Sequence, residues 1–259
     1  PTHPGLLDWL AVDFTDHGWN VKRLLKKIVM SATYQQASET RPALEESDPE
    51  NLLLARAPRY RLSAEMIRDN ALAASGLLSR RMGGAGAKPY DLTESFKPMG
   101  HDKGEGLYRR SVYTFWKRTG PAPVMMALDA AKRDVCRAKR ENTATPLQAL
   151  VLLNDTTFVE AARALAQRMF AETADDASQR IRYGFRLATA RWPSATELSI
   201  LRKGLDDYLE SYQQDKRAAE VLLTIGESPS NGNAGAEELA AYLMVASIIL
   251  NLDETITRQ

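Results

Sequence analysis

Apolar residues recur at helical spacing along most of this chain, and the runs begin at residues able to cap a helix. "NVKRLLKKIVMSATY" places Val21, Leu24, Leu25, Ile28 and Val29 on one face and Lys22, Arg23, Lys26 and Lys27 on the other, behind Asn20 as N-cap. "GLLDWLAVDF" before it predicts a shorter helix, so an αα-hairpin opens the chain. Ser63 is the expected cap of "RLSAEMIRDNALAASGLLSRRM", which turns Ala64, Ile67, Ala71, Leu72, Ser75 and Leu78 inward. At Thr145-Pro146 the threonine caps, the proline gives up no needed N–H, and Gln148 is placed to close a capping box. "PLQALVLLN" then reads as a helix buried on most sides, followed by "TTFVEAARALAQRMF" with Phe158, Ala162, Leu165 and Met169 inward. "DASQRIRYGFRLATA", a segment opened by the Ser194/Glu197 capping box, "KRAAEVLLTIG" and "GAEELAAYLMVASIILNLDE" complete the helical half.

This pattern predicts a mainly α, multi-helix fold with little room for sheet. Two stretches break it. Residues 38–60 read as loop, and 83–106 is a long irregular loop rich in glycine. After that loop, "RRSVYTFWKR" alternates Val112, Thr114 and Trp116 against Tyr113 and Phe115, so at most a small β element is expected around 108–118. The 259 residues suffice for a buried core and read as one domain, 1–259, with sub-lobes 1–135 and 136–259.

Charge narrows the function classes. A net charge of +1 supplies no global field for nucleic acid or a membrane surface, yet residues 101–141 carry a net +5 and residues 193–259 a net −6. The best apolar run is about 14 residues against the ~20 that a membrane span needs. The single cysteine excludes an intrachain disulfide, and the N-terminus reads like the middle of a longer protein.

No catalytic motif names a reaction. His3, His17 and His101 are scattered, and HExxH, CxxC and CxxCH are missing, so neither a zinc site nor attached haem is expected in this segment. His101 lies beside Asp102 and Glu105, where a solvated loop histidine is favoured over acid–base chemistry. Gly83, Gly84 and Gly86 read as a helix end and turn, not a phosphate loop. Cys136 sits among Lys132, Arg133, Arg137, Lys139 and Arg140 without a nearby histidine base, which favours a packed thiol over a reactive one. Arg61, Glu65, Arg68 and Asp69 recur at helical spacing. Two readings stay open for them: a surface ladder, or a semi-buried network that holds the long loop or the basic segment. Tyr108, Tyr113, Phe115 and Trp116 amid Arg109, Arg110, Lys117 and Arg118 read as a half-buried strand with basic edges rather than a single-strand nucleic-acid surface.

Seven segments together resemble one family: "HPGLLDWLA", "GWNVKRLLKKIVMSATYQQ", "DPENLLLAR", "RLSAEMIRD", "YRRSVYTFWKR", "CRAKRENTATPLQALVLLND" and "LNLDET". It is the C-terminal domain of unknown function of large planctomycete proteins, commonly found with a cytochrome-c-like domain. His3-Pro4, Arg61-Leu62, Glu65, Arg68-Asp69, Arg109-Arg110-Ser111, Tyr113 and Thr143 to Leu150 fit its pattern, whereas Leu128-Asp129-Ala130-Ala131 stands where members often carry Phe-Asp-x-Pro. The resemblance implies a periplasmic or cell-surface protein with haem, if any, in other domains. It implies no catalytic residues.

The reading that follows is a non-catalytic binding or assembly domain, with Arg61, Glu65, Arg68, Asp69, Arg109, Arg110, Tyr113, Arg137, Arg140 and Gln148 as its binding or structural network. Its expected partners are other domains of the same protein and a polysaccharide, with no nucleic acid and no membrane span. Two alternatives stand beside it: a carbohydrate-active enzyme using Asp102, Glu105 or Glu65, and an electron-transfer accessory docking to a cytochrome domain through the basic region.

Overall fold

The structure is a computed structural model. It describes all residues except 40, 90–92, 95, 96, 99, 118–120, 134, 135, 137, 174, 175, 230–233 and 259. The chain forms two compact units, Pro1–Tyr60 with Arg258–Gln259, and Arg61–Thr257.

The smaller unit holds α1 (Pro4–Asp16), α2 (Val21–Val29) and α3 (Pro42–Ser47), the last inside a stretch expected to be loop. Asn20 caps α2 as expected, its side chain accepting from the Arg23 amide. Gly18 and Trp19 turn the hairpin with φ of 67° and 59°. Asp13 then clamps it, accepting from both Arg23 guanidinium nitrogens and from Lys27 Nζ at 2.7 Å. Those bonds, Arg23 first, hold the Asp13 carboxyl well below the usual range. Almost no apolar surface is buried here: Asp48 and Ala57 are the only described residues of the unit that reach the interior.

The larger unit contains α4 (Ala64–Ser75), α5 (Pro123–Ala127), α6 (Pro146–Asn154), α7 (Thr156–Ala171), α8 (Ala177–Thr189), α9 (Ala195–Gln214), α10 (Lys216–Leu223), α11 (Ala236–Leu250) and α12 (Asp253–Ile256). The fold is mainly α. Helix α11 is its hub, packed against α7, α8, α9 and α10, while α4 lies on α7. Leu165, Met169, Ile181, Phe185, Tyr242, Leu243 and Ile249 are all fully buried. A Cβ on Gly184 would fall 1.8 Å from the Met169 methyl, so the missing side chain is what lets α8 approach α7.

The caps behave as the sequence indicates at Ser63 and Ser194, the latter completing a capping box with Glu197. Thr145 caps α6, but Gln148 does not close a box there, because its side chain turns inward to other partners. Helix α6 also departs from its expected burial: only Gln148 and Leu152 are buried, and Leu147, Leu150 and Leu153 are exposed. Among the described residues, 108–117 do not form the expected strand, and residue 118 lies outside them. The segment folds as 3-10 turns over Gly104–Tyr108 and Ser111–Tyr113, with isolated parallel bridges from Arg109 to Ser79 and from Thr114 to Ala87. A two-residue hairpin pairs Thr93–Glu94 with Lys97–Pro98. Among the described residues, no helix is long and apolar enough to cross a membrane.

Arg191 ties the start of α9 to α12, forking onto Glu197 and Glu254. Arg191, then the Ser194 amide, lower the Glu197 pKa from 4.5 to about 2. A depressed carboxylate contributes stability that is full above its unfolded pKa and lost as pH falls through the folded one. Wild type is therefore expected to lose stability between pH 4.5 and about 2 more steeply than Glu197→Gln. Urea midpoints followed across that window check this, and parallel curves for the two proteins would contradict it.

Candidate functional site

Arg68 answers the question left open by its helical spacing. It projects from α4 and is only 1% exposed. Its guanidinium donates to the carbonyls of Leu107 and Arg109 and to Ser111 Oγ. Neighbouring Asp69 accepts from the Ser111 amide at 2.8 Å and its hydroxyl at 2.7 Å. Two consecutive helix residues thus fix the backbone of 107–111, satisfying groups that a turn cannot pair within itself.

Arg109 extends the lock. It donates to the carbonyls of Gly83 and Ala85 and stacks on Tyr113, whose hydroxyl accepts from the Gly83 amide. The glycine-rich turn is therefore gripped at both donor and acceptor, and positive φ at Gly83 and Gly84 (70° and 89°) makes the bend. Arg110 points to the surface and reaches the Met82 sulfur.

The remaining sequence candidates fall into two groups. Glu65 pairs with Arg140, Nη1 lying 2.8 Å and 3.0 Å from its two carboxylate oxygens, so the basic segment is anchored to α4. Arg137 lies outside the described residues, and Cys136 is exposed. Gln148, 1% exposed, donates to Asp129 and to the Thr143 hydroxyl, and Asp129 also accepts from the Thr143 amide and hydroxyl. Burial pushes the Asp129 carboxyl up, but the Thr143 and Gln148 bonds outweigh it and the net shift is downward. Asp129 has φ of 63°, so the Leu128-Asp129-Ala130-Ala131 stretch still makes a sharp bend without the proline of the family pattern. A cavity of about 240 Å³ opens beside it, lined by Asp129, Lys132, Arg140 and Glu141 among others. Arg61 is half-buried; desolvation lowers its pKa, opposed by the charges of Asp129 and Asp253.

A larger cavity, about 440 Å³, lies between the 101–108 segment, the start of α7 and the loop after α10. Glu160 is its most buried charge at 5% exposure. One carboxylate oxygen, Oε1, accepts from Tyr108 Oη at 2.9 Å, the Glu227 amide at 2.7 Å and the Ser228 amide at 2.5 Å. Burial first, then Glu160, push the Tyr108 hydroxyl far above its ordinary range. Gly226, at φ 93°, lets the loop lie this close, since a Cβ there would fall 2.4 Å from Glu160 Cδ. Arg163 secures the same loop through the Leu223 and Ser228 carbonyls. At the rim, His101 Nε2 meets Glu227 Oε1 at 2.6 Å. Asp155 caps α7, and its burial raises its pKa more than the Thr157 amide lowers it.

A family model described as PSD1, protein of unknown function (DUF1553), matches residues 1–205. The chain belongs to the DUF1553 family. No curated protein and no solved structure matches it.

The DUF1553 match covers the whole Arg68–Arg109–Tyr113 lock and the Asp129–Gln148 pair, but not Glu227, which lines the larger cavity, or Ser228, whose amide binds Glu160. The carboxylates singled out in the sequence lie elsewhere. Asp102 accepts from the Lys88 amide and packs on Gly106; Glu105 is held by Ser79 and Arg81, with Ser79 the larger cause of its lowered pKa; Glu65 is held by Arg140. The carboxylates that line the cavity are Asp155, Glu160 and Glu227. His101 meets Glu227, 126 residues away. The nearest signal in the sequence was Glu160, which with Arg163 puts charge among the buried, mostly apolar residues of α7. Among the described residues, no group of three or more His, Cys, Asp or Glu could hold a metal ion.

Proposed function

We propose that this DUF1553 chain is a non-catalytic binding and assembly domain of a larger exported protein, docking to other domains of that protein. One observation carries the reading: the chain displays apolar helix faces that it does not cover. Trp9, Val12, Trp19, Val21, Leu25 and Met30 are each more than half exposed, with Trp19 at 67% and Met30 at 65%. Helix α6 adds a ridge of Leu147, Leu150 and Leu153 at a spacing of three residues. Scattered surface leucines are ordinary, but contiguous helix faces of this kind are characteristic of interfaces. The network residues fit the same role, since Arg68, Asp69, Arg109 and Tyr113 spend their polar groups on internal bonds that shape the domain.

Hydrogen exchange of residues 4–30 and 146–154 tests this, comparing the chain alone with the full product of its gene. Exchange is expected to slow in the full product. A Trp9→Ser/Leu25→Ser variant should cost the chain alone about 1–2 kcal/mol, because both side chains are already more than half exposed and Trp9 gives up the Lys27 ammonium over its ring. It should restore fast exchange in the full product. Equal exchange in both contexts would sink the reading.

A further inference from the structure

The 440 Å³ cavity is distinct from the apolar faces and has a chemistry of its own. Three carboxylates line it, Asp155, Glu160 and Glu227, and no lysine or arginine does so among the described residues. Glu160 is built in rather than incidental. It is 95% buried, and all of its bonds and its approach to Arg163 run to Oε1. Its other oxygen, Oε2, accepts no hydrogen bond from any described residue. Oε2 is not sealed off from solvent. The cavity is where a donor can reach Glu160.

The lining also includes apolar residues, Leu107, Pro123 and Val124. The positive end of α7 also faces the cavity through Thr156 and Thr157, which by itself would favour an anion. Asp155 already occupies that helix end by accepting the Thr157 amide, so the attraction is spent within the protein. What remains is a carboxylate-rich lining, with His101 against Glu227 and Arg163 beside Oε1 of Glu160, together with apolar residues.

We infer that this cavity binds a small molecule carrying a primary ammonium group on an apolar body, with the ammonium donating to Glu160 Oε2 and the body lying on Leu107, Pro123 and Val124. Three probes of one shape test the charge requirement: 2-phenylethylamine, 2-phenylethanol and phenylacetate. Calorimetry and saturation-transfer NMR on the whole chain, with probes at roughly millimolar concentration, should find the amine bound at least tenfold more tightly than the alcohol and phenylacetate not bound. Glu160→Gln should cut amine affinity roughly tenfold while leaving the alcohol unchanged. Circular dichroism checks that this variant folds. If it does not, Glu227→Gln at the rim carries the test, with an expected loss of about threefold. Equal binding of amine and alcohol, tighter binding of phenylacetate, no binding of any probe, or amine affinity unchanged in the folded variant would each overturn the inference.

Discussion

Replacing Arg68 with alanine is expected to cost the larger unit about 3–5 kcal/mol, much of the stability a domain of this kind possesses. The guanidinium is 1% exposed and satisfies the Leu107 and Arg109 carbonyls and the Ser111 hydroxyl at once. Truncation leaves those acceptors without their donor and removes the positive charge 3.6 Å from Asp69. Lost acceptors cost about 1–3 kcal/mol each when water cannot replace the donor. Arg68→Lys keeps the charge but has no planar fork to reach all three groups, so an intermediate loss is expected. Urea unfolding monitored by circular dichroism measures both. A loss for Arg68→Ala below about 1 kcal/mol would show that the 107–113 turns hold without the lock.

Gly226→Ala should be the second large effect, about 2–4 kcal/mol. The left-handed backbone at φ 93° costs a side-chain-bearing residue roughly 1–2 kcal/mol. The added methyl would also meet Glu160 Cβ, Cγ and Cδ at 2.4–2.7 Å, and overpacking of that kind adds about 1–3 kcal/mol. Glu160 cannot yield easily, being held by Tyr108 and two loop amides. The loop should therefore leave Glu160, and proteolysis should rise near residues 224–228 as the melting temperature falls. Stability within about 0.5 kcal/mol of wild type would mean that the loop reseats without penalty.

Helices were the legible part of this chain because their signals are local. Asn20, Ser63, Thr145 and Ser194 each accept a backbone N–H in the first turn, and the inward residues of α4 and α7 are buried apart from half-buried Leu78. Burial was less legible, because it depends on what lies opposite. "PLQALVLLN" is apolar all round, yet the one polar residue facing in, Gln148, is buried and Leu150 is not. The 108–118 segment has strand composition, but Arg68 and Asp69 bind its backbone from across the fold and hold it in turns. Spacing left Arg68 and Asp69 open between a surface ladder and a semi-buried network; it could not show that their partners were main-chain groups some 40 residues away. The large cavity was the least legible feature. Its polar lining is assembled from His101, Asp155, Glu160 and Glu227, which no short motif connects.

The central place of α11 also bears on how the protein is made. Helix α7 ends at Ala171, whereas the helix that covers it is complete only at Leu250, roughly eighty residues later. At a ribosomal rate of about 5–20 residues per second, the inner face of α7 waits on the order of 4–16 seconds for its cover and that of α8 about 3–12 seconds. During that interval Leu165, Ile181 and Phe185 have no α11 to pack against. A nascent chain of this protein thus carries a transient demand for shielding, and slow codons between α8 and α11 would prolong it.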